Sequence, residues 1–120
     1  MKFSHCGANR MNEIYDLLYS LGLTANYSGF FYTAYAVQLV IDNPQRLLMV
    51  TKHLYPEVAR HYLTTQQAVE RNIRTVINVV WEKNPQKIAE LARCPVQTKP
   101  TVSQFISILA LSFMNYSNIA

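Results

Sequence analysis

A chain of 120 residues, half of them hydrophobic and only 15% charged, has the size of one domain with its own core and excludes a disordered polypeptide. At this length roughly two thirds of the unfolded surface is buried on folding. The formal net charge is +4, no apolar run approaches the roughly 20 residues of a membrane span, and the N-terminus lacks a secretory apolar stretch, so the expected location is the cytoplasm, away from membranes.

In chain order, residues 1–8 read as a flexible leader, 9–116 as a single domain and 117–120 as a tail. Asn9 can cap a first helix whose buried stripe is Met11, Ile14, Leu17, Leu18 and Leu21, with Gly22 as its left-handed stop. The next segment, GFFYTAYAVQLVIDN, is apolar on nearly every side and belongs in the middle of a bundle. Its tyrosines suit core and rim packing. Asp42-Asn43-Pro44 breaks the chain, and Pro44 can open a helix that ends near His53.

Pro56 lacks an N–H and clashes with a preceding helical turn, so it opens a new short helix, Tyr55 to about Tyr62. Leu63-Thr64-Thr65 is then a tight turn, with Thr64 and Gln67 at capping-box spacing before a long helix, Gln66 to Lys83. Short helix, turn and long helix follow the helix-turn-helix plan. A helix from about Gln86 to Ala92 follows Asn84-Pro85, CPVQTKP is a linker, and Thr101 with Gln104 begins a last helix to about Asn115. The predicted fold is all-α, a compact bundle of about six helices containing a helix-turn-helix.

The charge is concentrated between Pro44 and Lys99, where nine basic residues face four acidic ones; the last 21 residues carry none. A basic middle is the footprint expected for a polyanion, duplex DNA above all. Within TTQQAVERNIRTVINVVWEK, a residue every 100° puts Ile73, Val76 and Val80 within roughly 40° of Val69 and Ile77 within roughly 80° of it. Gln67, Arg71, Arg74 and Asn78 gather on the opposite side, roughly 140–200° away. Arg matches guanine O6 and N7, and Gln or Asn matches adenine N6 and N7. Arg71 and Arg74 are therefore the main base-edge candidates, with Gln67 and Glu70 helping, and Gln66 is a further DNA-binding candidate. Thr64, Thr65, Lys52, Arg60 and Lys83 are candidate phosphate contacts.

The run LYPEVARHYLTTQQAVERNIRTVINVVWEK resembles the C-terminal DNA-binding domain of the master sporulation response regulator of spore-forming bacteria. The resemblance extends from about Ile14 to Met114, and VERNIR with LYPEVA is its most specific part. It implies a bundle of about six helices, sequence-specific binding to double-stranded DNA, and DNA-contacting roles for Glu70, Arg71 and Arg74. It also implies side-by-side binding on tandem sites. Ala68 stands where that family tends to carry a basic residue, and Thr75 where it carries His, so the family's DNA box is not carried over. The family's receiver domain has no counterpart in this sequence. For a complete chain the expectation is a regulator that aspartyl phosphorylation does not control directly, either stand-alone or competing for the same sites; the alternative is a fragment of a longer protein.

Other chemistry has little support. His5, His53 and His61 lack metal-ligand spacing, and His61 beside Arg60 is expected to face phosphate or solvent. Cys6 and Cys94 form no redox or metal motif. No nucleophile signature, phosphate loop or paired-carboxylate motif appears, so neither an enzyme nor a cofactor is expected. The last helix is apolar on a wide arc, and Phe105, Ile108, Leu109 and Phe113 are candidates for self-association as a homodimer on tandem sites. The alternative function is an interaction module for another regulator or RNA polymerase, with little DNA affinity.

Overall fold

The computed structural model describes residues 7–119, with side chains from Arg10 to Met114. The expectations for His5 and Cys6 lie outside these residues. Among the described residues seven α-helices follow one another: α1 (Gly7–Ser20), α2 (Ser28–Asp42), α3 (Val50–His53), α4 (Tyr55–His61), α5 (Gln66–Lys83), α6 (Pro85–Ala92) and α7 (Val102–Ile119). A 3-10 segment, Pro44–Met49, joins α2 to α3. The fold is all-α, with no strand among the described residues.

The most apolar segment of the sequence becomes the central helix. Burial of Phe30, Ala34, Ala36, Val37 and Val40 spreads around α2, because α1, α5 and α7 all pack against it. Phe30 stacks on Tyr15 at 5.5 Å between ring centroids, and Tyr32 and Tyr35 pack around Tyr62 at the end of α4. The tyrosine-rich segment thus serves packing.

Gly29 permits a close approach between two helices. A Cβ at that position would lie 2.3 Å from the Asn72 carbonyl oxygen and 2.6 Å from a methyl of Val76, both on α5. The absence of a side chain lets α5 settle directly onto the start of α2. A second tie holds the far end of α5: the Asn84 side-chain amide donates to the Leu21 carbonyl at 2.9 Å, beside Gly22 in the left-handed region at φ 94°.

Three local expectations need correction. Asn9 lies inside α1, which already includes Gly7, so it is not the cap. The segment before α4 is a 3-10 stretch plus the four-residue α3, not one helix; Pro44 does begin it, as expected. The cap of α5 is Thr65, whose hydroxyl accepts from the Ala68 N–H at 3.1 Å, not Thr64 paired with Gln67. The shift by one residue comes from the turn. Leu63 takes φ 55°, the Thr64 N–H reaches the Ala59 carbonyl at 2.9 Å, and the Leu63 N–H reaches the Arg60 carbonyl at 3.4 Å. This is a Schellman stop, and it uses Thr64 to close α4. The capping box expected on α7 is present: Thr101 N–H donates to the Gln104 side chain at 2.9 Å, and Gln104 N–H donates to the Thr101 hydroxyl at 3.1 Å.

Candidate nucleic-acid interface

α4, the turn through Thr65, and α5 have the order and proportions of a helix-turn-helix unit, and α4 packs against α5. The inner side of α5 buries Val69, Ile73, Val76, Ile77 and Val80. Burying such a side chain is worth roughly 1.5–3 kcal/mol, and five in a row fix the helix's rotation about its axis. That rotation leaves Gln67, Arg71, Arg74 and Asn78 exposed in one file, with Gln66 and Thr75 exposed beside it.

Arg74 keeps 67% of its side chain exposed while one of its NH₂ groups meets the Glu70 carboxylate at 2.6 Å, one turn earlier. A surface pair at this spacing contributes only about 0.3–0.5 kcal/mol. Its larger effect is to orient a guanidinium that has five N–H donors and spends one on Glu70. Tyr55, buried at the start of α4, feels the charges of the pair. Burial raises its phenol pKa, the Glu70 charge raises it further, and Arg74 acts in the opposite sense. Arg71 is exposed and makes no side-chain hydrogen bond or ion pair with the described residues, while its carbonyl accepts from the Thr75 hydroxyl at 3.1 Å.

The candidate phosphate contacts are more scattered. Thr65 is exposed but its hydroxyl is occupied by capping, and Thr64 is half-buried. Arg60 is exposed and meets Glu57 at 2.8 Å; the hydrogen bond from Arg60 is the main reason the Glu57 carboxyl sits below its ordinary pKa. Lys52 on α3 is exposed, and no hydrogen bond or ion pair ties it to α5. Lys83 ends α5, about 25 Å along the axis from Gln66. His61 is exposed, as expected, but it is stacked on Tyr35 with ring centroids 4.0 Å apart.

One basic residue at this face is absent from the sequence-derived set. Lys99, in the linker before α7, donates from Nζ to the Asn78 Oδ1 at 2.6 Å and brings a cation to the C-terminal half of the exposed file. A sequence separation of 21 positions leaves no local signal of the contact.

The self-association set is corrected in part. Phe105 is 1% exposed and Leu109 is fully buried, so both are core and neither can line a partner surface in this fold. Their burial follows from the stripe Val102, Phe105, Ile106, Leu109 and Ala110, which α7 turns toward α2 and the rest of the core. Ile108 and Phe113 are half-buried, and Leu111, not among the candidates, is 46% exposed. A cleft of about 450 Å³ lies between α6, the linker and α7, lined in part by Leu91, Cys94, Val96, Ile108 and Leu111. No helix of the described residues is long and apolar enough to cross a membrane.

An all-α domain with this helix order, presenting a cationic file on the longer helix of the unit, falls in the class of helical transcription-regulator domains. The family is shown by sequence comparison: residues 14–113 match the family described as the sporulation initiation factor Spo0A C terminal. The chain belongs to that family. It is a family of transcription-factor DNA-binding domains, the effector part of a sporulation response regulator, and not one of enzymes.

Proposed function

We propose that this chain is a cytoplasmic transcription regulator that recognises specific sequences in double-stranded DNA, with α5 in the major groove and α4 positioning it. The observation that carries the reading is the division of α5 into a buried aliphatic side and an exposed file of Gln67, Arg71, Arg74 and Asn78. Arg71 and Arg74 take base edges, with Gln67 and Glu70 beside them. Gln66, Thr64, Thr65, Lys52, Arg60 and Lys83 meet the backbone on either side. Two copies on tandem sites meet through the outer edge of α7, at Ile108, Leu111 and Phe113.

Binding to a duplex selected from a random pool tests the reading. Arg71→Ala is expected to cost about 1–3 kcal/mol and to relax preference at one base pair. Lys83→Ala is expected to weaken all duplexes alike and flatten the salt dependence. Full binding by an Arg71→Ala, Arg74→Ala double variant would overturn the assignment. The cleft beside Leu111 favours a second reading, an interaction module for another regulator or RNA polymerase with little DNA affinity. That reading predicts no retained duplex and a protein complex that tolerates salt.

A further inference from the structure

Asn78 is the thirteenth residue of α5, about 18 Å along the axis from Gln66 and in line with Arg71 and Arg74. Taken alone, an asparagine here would suit adenine, because its amide can accept from N6 and donate to N7 in one plane. Its surroundings change that. An ammonium group has three donors and no acceptor, so the side chain that meets Lys99 must present its oxygen. This chemistry also decides which way the amide is turned.

Lys99 is held close to its place. The next residue, Pro100, is buried, and Thr101 is locked into the reciprocal cap of α7. The ammonium therefore stands beside Asn78 from a linker anchored on its far side by α7. An adenine amino group approaching the same oxygen would bring its hydrogens against those of the cation. What Asn78 and Lys99 offer together is weighted towards donors: the two N–H bonds of the amide and the remaining N–H bonds of the ammonium, against the one lone pair of the amide oxygen that Lys99 leaves.

We infer that Lys99 is a positioning residue for base recognition, turning Asn78 into a donor-weighted reader that favours an acceptor edge, guanine N7 and O6, over adenine. The inference rests on α5 being the DNA-reading helix. It adds a specificity determinant contributed by the α6–α7 linker, outside the helix-turn-helix unit.

The test selects bound duplexes from a random pool with four proteins: the unaltered chain, Asn78→Ala, Lys99→Met and Lys99→Arg. The unaltered chain is expected to enrich guanine at one position, and Asn78→Ala to lose the preference there alone. Lys99→Met should keep the rest of the site but lower the guanine-over-adenine ratio at that position by about tenfold, within the range of a single base contact. Lys99→Arg, still a donor-only cation, should preserve it. If Lys99→Met weakens every duplex equally and reduces the salt slope by about one with base preferences unchanged, Lys99 is a phosphate contact and the inference is wrong. The inference also fails if Asn78→Ala leaves every position intact. Failure of the unaltered chain to enrich any sequence would instead remove the DNA-reading role of α5, and the inference with it.

Discussion

α5 and α7 are both 18 residues long and both start on a threonine cap, yet they serve the molecule in opposite ways. α5 confines its apolar residues to one stripe and spends the opposite side on Gln, Arg and Asn. α7 has no charged residue and carries apolar side chains around most of its circumference. A narrow stripe fixes a helix's rotation and frees the other face for work; a broad one secures burial but leaves its sequence ambiguous about direction. The contrast explains why the exposed residues of α5 could be named in advance while those of α7 could not.

The sharpest way to break the comparison is at Phe105. If α7 used that residue for a partner, Phe105→Ala would alter assembly and leave folding untouched. As a fully enclosed core residue, its truncation should instead lower unfolding free energy by about 3–5 kcal/mol, measured by chemical denaturation at protein concentrations where the chain stays monomeric. A loss below about 1 kcal/mol would return Phe105 to the surface. For the exposed Leu111, replacement by Asn should leave unfolding within about 0.5 kcal/mol.

The seat of α5 is tested at Gly29. Helix propensity favours Ala over Gly by about 1 kcal/mol, so Gly29→Ala should stabilise α2 if nothing opposed it. A Cβ placed 2.3 Å from the Asn72 carbonyl oxygen does oppose it, and backbone there cannot swing aside as a side-chain tip could. Overpacking of this kind costs about 1–3 kcal/mol, enough to reverse the propensity gain. Thermal melting should show a lower midpoint. A higher midpoint would mean that α2 and α5 are not in such close contact.

The parts that were legible share a physical basis. The bounds of α5 followed from a period-3.6 stripe, the two threonines before it and Asn84-Pro85 after it, and the exposed file followed from the same angle. Pro56 marked the start of α4 because a missing N–H is tolerated only in a first turn. Other features depended on information that local spacing does not contain. Choosing Thr65 over Thr64 as cap required knowing that Leu63 turns left-handed, an uncommon conformation for that residue. Phe105 and Leu109 required knowing which side of α7 meets α2. The Lys99–Asn78 contact required the tertiary path of a linker.

The starts of the two long helices differ as much as their faces, and this difference yields the smallest effect. α7 begins on a reciprocal capping box with no strained residue beside it, so Thr101→Ala should cost about 1 kcal/mol. α5 begins after Leu63, which is 92% exposed and held at φ 55° where glycine is the usual occupant. Its side chain gains nothing from burial, while the left-handed backbone costs an L-residue roughly 1–2 kcal/mol. Glycine would remove that strain but release a more flexible unfolded chain, offsetting part of the gain. Leu63→Gly should therefore raise unfolding free energy by about 0.5–1 kcal/mol, measurable as a shift in denaturant midpoint at constant slope. Since Leu63 stands in the turn of the helix-turn-helix, duplex affinity of the same variant separates two roles. Unchanged affinity with higher stability makes the leucine a local cost of the turn, and weaker binding with higher stability makes it a contact retained despite strain.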